Sequence, residues 1–319
     1  MAVKVLLSYD ANEDDLRRIQ AVSGGLVVEK AVTLEEAIAK AGEAEVIFAG
    51  QWSEELWRSA PRLRWVQSWG AGVERFLTAD FVASSIVLTN ARGMYAVPIA
   101  DHVMALVLHF SRRLGGLVRS QLAHRWAGWE ECEPEELAGK TMGIVGLGGI
   151  GCEVATRAKA FGMRVIATRR RPNLARSLFV DEVWSSQQLP WLLKESDYVA
   201  ICAALTARTR HLIGERELGL MKPTAFLINI ARGALVDEQA LVRALQDGAI
   251  AGAGLDVFEE EPLPGESPLW EMTNVIITPH TAGGSPRSHE RMMELFCGNL
   301  RRYLAGEPLV NVVDKNEGY

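Results

Sequence analysis

Residues 141–171 read "TMGIVGLGGIGCEVATRAKAFGMRVIATRRR", and the order of their chemistry decides the fold. A short apolar run suited to a strand leads into Gly146, Gly148 and Gly151 at the spacing GxGxxG. Ile150, Val154, Ala158 and Phe161 then fall at helical spacing, and "RVIAT" returns to a strand. In a chain with 29 glycines the spacing alone is weak. Inside a strand–turn–helix–strand unit of about 30 residues it predicts a mononucleotide-binding half. The glycines allow a tight turn, a close backbone approach to a diphosphate and close packing of helix on strand. The diphosphate rests on the helix N-terminus, whose unpaired N–H groups and dipole favour an anion.

Outward from this unit the alternation continues. Before it, "VKVLLSY", "LVVEKA", "EVIFAG", "LRWVQSW" and "IVLTN" are strand candidates; after it come "YVAICA", "AFLINI", "GAGLDV" and "NVIITP". Strand candidates separated by helix-like segments indicate parallel sheets with crossover helices. The expected class is α/β, with two Rossmann-like or flavodoxin-like domains and doubly wound parallel sheets. Pro98 suits a first helical turn, and "IADHVMALVLHFSRRLGGLVRS" reads as one long helix into a second domain. "SPRSHERMMELFCGNLRRYLAG" reads as another, with Ser285 as N-cap and Pro286 as its first residue. The apolar tail "EPLVNVV" is too short for a domain and is expected to pack on the first one. This places a discontinuous domain at residues 1–98 and 285–319, and an inserted dinucleotide-binding domain at 99–284. The two crossings predict a cleft and a hinge.

A chain of 319 residues, 48% hydrophobic and 23% charged, is large enough for two folded domains. Its net charge of -6 carries no field of one sign to hold nucleic acid or an anionic membrane, so the expected partner is a small molecule. The start, "MAVKVLLSYDANEDD", turns acidic directly after a short apolar run, unlike a signal peptide, and the expected location is the cytoplasm. Cys132, Cys152, Cys202 and Cys297 lack metal-ligand spacing; four reduced thiols, most of them buried, are expected, and no metal.

Three stretches carry polar groups where strands should end: "INIARGALVDEQAL" with Arg232, "GLDVFEEEPLP" with Asp256 and Glu261, and "ITPHTAGG" with His280. Loops after parallel strands face the ligand crevice. A guanidinium holds a carboxylate with two parallel hydrogen bonds, a histidine exchanges protons near neutral pH, and a glutamate beside it favours the imidazolium and fixes the ring. Together they suit reduction of a 2-keto acid. Singly each has a plainer reading: a loop histidine, an Arg232–Asp237 pair, a solvated acidic turn.

These stretches, with "APRLRWVQSWGAGVERF" and "TNARGMYAVPIADHVMALVL", resemble the D-isomer-specific 2-hydroxyacid dehydrogenase family from about residue 60 through the tail. The resemblance implies that Arg232 grips the substrate carboxylate and keto oxygen, that His280 is the acid/base and Glu261 its partner, and that Asp256 lies on the cofactor side. It implies that backbone N–H groups of Ala71 and Gly72 cap the substrate carboxylate. Gly146, Gly148, Gly149, Ile150, Gly151, Thr168, Cys202, Ala203, Thr209, Ile230 and Ala231 fall at cofactor positions. It also implies a homodimer through the inserted domain, where "SQLAHRWAGW" places Trp126 and Trp129; core packing is the alternative for these two.

The departures narrow the reading. "ICAALTART" replaces the family's histidine and proline near the adenosine, leaving a small neutral surface at Cys202, Ala203 and Ala204. Such a surface resembles members that are NADPH-using glyoxylate and hydroxypyruvate reductases. Phosphoglycerate-type relatives place arginines in the loops where Gln51, Trp52, Ser68 and Trp69 stand here, which argues against a phosphorylated substrate. Trp52 and Trp69 could line an apolar pocket or serve the core. At the end of "RVIAT", NAD-using relatives commonly have an aspartate for the ribose hydroxyls. Here Arg169 and Arg170 offer a 2′-phosphate charge and a fork of donors, with Thr168 beside them. NADP(H) is the expected cofactor, NAD(H) the second choice. The alternatives are an NAD-dependent D-3-phosphoglycerate dehydrogenase, a reductase of bulkier 2-keto acids and, more remotely, an NAD(H)-sensing binding protein of the corepressor type.

Overall fold

A computed structural model describes residues 2–171 and 179–319. The chain divides into two compact units, Met1–Met94 with Ser285–Tyr319, and Tyr95–Gly284. The first division falls ahead of Pro98 because the helix of the inserted unit starts at Ala96, which puts Pro98 inside the first turn.

In the discontinuous unit, β1 (Val3–Leu7), β2 (Leu26–Lys30), β3 (Val46–Ala49), β4 (Trp65–Ser68) and β5 (Val87–Thr89) form a parallel sheet in the order β2-β1-β3-β4-β5. The order reverses between β1 and β3. There Gly50 lies so close that a Cβ would stand 2.7 Å from Cβ of Tyr9. One face carries a core of Leu6, Ile47, Val66, Phe76 and Phe81. The other is an aromatic stack, with Phe296 4.3 Å from Phe48 and 5.4 Å from Trp65 between ring centroids. Under the stack Trp65 Nε1 donates to Thr89 Oγ1 (2.8 Å), and Asn299 Nδ2 to Gln67 Oε1 (3.3 Å), which fastens the returning helix. The tail does pack here: Val313 N–H donates to the Leu88 carbonyl at 2.8 Å.

The returning helix spans Ser288–Ala305 with Arg287 at its N-cap, two residues later than Ser285 predicts. Ser285 Oγ instead accepts from Arg287 N–H, a local turn that competes with helix.

The inserted unit holds β6 (Thr141–Val145), β7 (Arg164–Arg169), β8 (Glu182–Ser185), β9 (Tyr198–Ile201), β10 (Phe226–Asn229), β11 (Gly252–Leu255) and β12 (Val275–Ile277). They are parallel, in the order β12-β11-β10-β9-β6-β7-β8. Successive residues enter opposite cores: Ile144, Tyr198 and Ala200 one, Val145, Val199 and Ile201 the other. This explains the unbroken apolar runs, since both faces are covered. Strand β8, "EVWS", is missing from the sequence reading because it is a polar edge strand. Arg164 of β7 pairs with its Glu182 at 2.5 Å, and Val183 and Trp184 pack partly buried on the two cores.

The long helix expected after Pro98 is two, Ala96–Ser111 and Leu114–Leu122. They break at Arg113, whose φ of 54° is left-handed. The second carries Leu114, Val118 and Leu122 on an exposed face, so there is no buried stripe to keep it in line with the first. Of the four cysteines, all free, only Cys297 is buried and three are half-buried, fewer buried than expected.

Candidate active site

Strand order reverses in the inserted sheet between β6 and β9, and the glycine loop follows β6. Gly146 has φ 101°, and a Cβ on it would come within 2.8 Å of the Ala203 backbone, so only glycine fits. A Cβ on Gly151 would stand 2.4 Å from the Gly146 carbonyl, which is the close helix–strand packing expected. Gly148 differs: no protein atom lies within 4 Å of where its Cβ would be. It caps the helix Gly149–Ala160 without a side-chain hydrogen bond, leaving the first N–H groups facing open space. This is the anion cradle a dinucleotide diphosphate requires. Within the helix Val154 and Ala158 are buried, but Phe161 ends it and is largely exposed, so the predicted apolar face is one turn shorter.

Thr168 is the next-to-last residue of β7; its carbonyl accepts from the N–H groups of Gly146 and Leu147, both at 3.1 Å, which fixes the loop to the strand end. Arg169 ends the strand half-buried, and Arg170 is exposed. Burial pushes the Cys152 thiol up, opposed by the Arg169 charge. Burial pushes Cys202 up to about 12, making it a neutral, unreactive wall. Thr209 is engaged locally: its hydroxyl donates to the Ala204 carbonyl at 2.8 Å and accepts from Thr206 N–H. Ile230 is buried in the core, and Ala231 N–H donates to Asn229 Oδ1 at 3.1 Å.

Three loops at the carboxyl ends of β10, β11 and β12 carry the reactive groups. Asn229 Nδ2 also donates to the Arg232 carbonyl (2.9 Å), so one buried amide shapes the turn that presents Arg232. Gly233 packs backbone to backbone on Phe258; a Cβ there would fall 1.8 Å from its carbonyl carbon. The arginine loop and the acidic loop are therefore in direct contact. Asp237 is the N-cap of the next helix, accepting from Ala240 N–H at 2.9 Å.

In the acidic loop, Glu259 pairs with His211 at 2.8 Å. Glu261 turns inward, with Oε1 accepting from Phe258 N–H (3.0 Å) and Oε2 from His280 Nδ1 (2.7 Å). Since the carboxylate takes Nδ1, Nε2 is the nitrogen left to serve a ligand. The histidine has φ 54°, a left-handed conformation costing about 1 kcal/mol, and its N–H is anchored on the Asp256 carbonyl at 2.8 Å.

Asp256, expected on the cofactor side, is buried and faces the histidine loop. Its carboxylate accepts from Thr278 Oγ1 (2.6 Å), Thr281 N–H (2.9 Å) and Ala282 N–H (2.9 Å). Because the threonine hydroxyl donates to Asp256, its lone pair receives His102 Nε2–H at 3.1 Å. Gly233, Thr278 and His102 hold the loops of the reactive groups, and of the three only Thr278, the threonine before "PH", has a signal in the sequence.

In the discontinuous unit, the Asn90 amide donates to the Ala71 carbonyl (2.8 Å) and Ala91 N–H to the Gly70 carbonyl (3.1 Å). The loop is held by its carbonyls, and the N–H groups of Ala71 and Gly72 have no acceptor among the described residues. Trp52 and Trp69 do not share a pocket. Trp52 packs on Phe76 and Phe81 at one sheet face, Trp69 on Phe48 and Tyr9 at the other. Arg75, also unremarked in the sequence, donates from Nη2 to the Ala49 carbonyl (3.2 Å) at the end of β3. A cation therefore stands near where none was expected.

A family model described as the D-isomer specific 2-hydroxyacid dehydrogenase NAD-binding domain matches residues 104–282. A glyoxylate reductase of Korarchaeum cryptofilum is 39% identical over 266 residues, covering 82% of this chain and 79% of the relative. The chain belongs to the D-isomer-specific 2-hydroxyacid dehydrogenase family. As a member it is an NAD(P)-dependent oxidoreductase, and the glycine cradle fits that cofactor. A D-3-phosphoglycerate dehydrogenase of Methanocaldococcus jannaschii is 33% identical over 317 residues, 98% of this dehydrogenase but 59% of the relative. A D-isomer specific 2-hydroxyacid dehydrogenase from Xanthobacter autotrophicus Py2, solved with NADPH and MES, superposes with a TM-score of 0.85 at 30% identity, each chain covered in full. No helix among the described residues of this dehydrogenase is long and apolar enough to cross a membrane.

Proposed function

We propose that this dehydrogenase reduces a small, unphosphorylated 2-keto acid, glyoxylate or hydroxypyruvate, to its D-2-hydroxy acid with NADPH. The hydrogen-bonded Glu261–His280 pair carries this reading. The bound nicotinamide supplies a hydride to the keto carbon. His280 Nε2 gives a proton to the keto oxygen, and Glu261 stabilises the charged ring and fixes its orientation. Arg232 holds the substrate carboxylate and polarises the keto oxygen. The N–H groups of Ala71 and Gly72, in the discontinuous unit, are donors suited to a carboxylate.

Arg169 carries the cofactor preference. An arginine at the end of β7 attracts a 2′-phosphate that an aspartate would repel, and Arg170 and Thr168 flank it. The test is initial rates of the purified enzyme with NADPH and NADH against glyoxylate, hydroxypyruvate and phosphohydroxypyruvate. Arg169→Asp should raise the KM for NADPH, relative to that for NADH, on the order of a hundredfold. Equal effects on both cofactors refute the preference. Arg75 favours one second reading, a phosphorylated substrate, which faster turnover of phosphohydroxypyruvate would establish.

The homodimer is supported by Leu114, Val118 and Leu122 at four-residue intervals along one exposed helix face, with Trp126 98% and Trp129 77% exposed. Core packing of these tryptophans does not fit such exposure. A second copy is the natural cover, since the flanking arginines and glutamates carry both signs, as a two-fold contact requires. Trp126→Asp should shift sedimentation from dimer to monomer; an unchanged coefficient contradicts it. Four free thiols suit the reducing cytoplasm.

A further inference from the structure

The helix Ala96–Ser111 buries Val103, Leu106 and Val107 in an apolar core, yet one turn before Leu106 it carries His102, 21% exposed at its side chain. Leu106 packs on β11 at Gly254, where a Cβ would stand 3.0 Å from Leu106 Cδ1, so the helix lies close because the strand is bare. Residues four apart share a helix face. His102 therefore stands over the end of the same strand, at Asp256.

Asp256 ties both reactive loops of the inserted unit together. Its N–H donates to the carbonyl of Asn229 (3.0 Å), whose amide shapes the Arg232 turn, and its own carbonyl receives His280 N–H (2.8 Å). Its carboxylate accepts from Thr281 and Ala282 N–H after the histidine and from Thr278 Oγ1 before it. Those three donors belong to the histidine loop itself. Among the described residues, His102 is the side chain from another element that bears on them, with Nε2 3.1 Å from Thr278 Oγ1 and 4.0 Å from Asp256 Oδ1. A hydroxyl has one hydrogen. With Nε2–H on its lone pair, the threonine commits that hydrogen to Asp256, and this holds whichever charge the ring carries, since the imidazolium and the Nε2–H tautomer both donate. An apolar side chain would fill this helix position at less cost, so the hydroxyl it reaches accounts for the histidine.

We propose that His102 is a positioning residue for keto-acid reduction, acting through Thr278 and Asp256 to fix the loop that presents His280. This rests on the reductase reading, with His280 as proton donor, and deepens it. Every group involved lies in the inserted unit.

The experiment measures kcat for hydroxypyruvate at saturating NADPH in the wild type, His102→Ala, His102→Gln, Thr278→Val and the double variant His102→Ala/Thr278→Val. Rates are taken per NADPH site counted by fluorescence titration, so an unfolded fraction cancels. His102→Ala should lower kcat about fivefold, the worth of one hydrogen bond. His102→Gln should recover part of it, because its amide N–H is again a donor. In the Thr278→Val background His102→Ala should cost nothing further, since the hydroxyl through which it acts is gone. A histidine that only fills space would cost the same in both backgrounds. That result, equal losses in His102→Ala and His102→Gln, or a wild-type kcat in both, overturns the assignment and leaves the reductase reading standing. A wild type that reduces no 2-keto acid with either nicotinamide overturns both.

Discussion

Two carboxylate–histidine pairs share an interaction and differ in everything around it. Glu261 and His280 meet at 2.7 Å with side chains 36% and 50% exposed; Asp15 and His289 meet at 2.6 Å with the aspartate 2% exposed. Glu261 takes Nδ1, on a loop strained into a left-handed turn and fixed through Asp256. Asp15 takes Nε2, on a helix tied to Tyr9 and Asn12. An accessible pair can load and unload a proton in each turnover. A pair whose carboxylate is sealed holds its ring in one orientation and offers a constant hydrogen bond. The same two residue types thus stand in an accessible loop in one unit and in a sealed tie between helices in the other.

The sharpest way to break this comparison is to remove the proton donor. His280→Ala should lower kcat/KM for keto-acid reduction by roughly 10²- to 10⁴-fold, while NADPH binding, followed by its fluorescence, is retained because the glycine cradle is untouched. A variant that still reduces hydroxypyruvate at the wild-type rate would take His280 out of the chemistry. Glu261→Gln is gentler, since the amide oxygen still accepts from Nδ1–H and only the charge is lost. A roughly tenfold fall in kcat is expected, the difference between a charge-assisted and a neutral hydrogen bond. A loss as large as that of His280→Ala would mean that Glu261 does more than hold and stabilise the ring.

Sequence alone carried the fold far because its signals were local and physical. Buried parallel strands leave unbroken apolar runs, and GxGxxG is a backbone requirement that Gly146 and Gly151 meet through contacts too close for any Cβ. Strand β8 was illegible because its apolar residues are two, Val183 and Trp184, only partly buried at a sheet edge beside the Arg164–Glu182 ion pair. The break at Arg113 was illegible because an apolar pattern does not say whether its face is covered.

At the site, Arg232, Glu261 and His280 could be named from residue type and position after strands. Their supports could not. That Gly233 must lie bare against Phe258, or that Asp256 binds the loop of His280 and not open space, depends on strands far apart in sequence becoming neighbours. The Asp15–His289 pair joins opposite ends of the chain and leaves no motif at all. Between the two readings left open for Trp52 and Trp69 the rings decide little by sequence, since aromatic residues in adjacent loops can belong to opposite faces of one sheet.

The most direct measurement is NADPH oxidation by the purified wild-type enzyme with hydroxypyruvate as substrate. Turnover that needs both, and is faster with NADPH than with NADH, is the predicted result. Absence of oxidation with every 2-keto acid and either nicotinamide would contradict it.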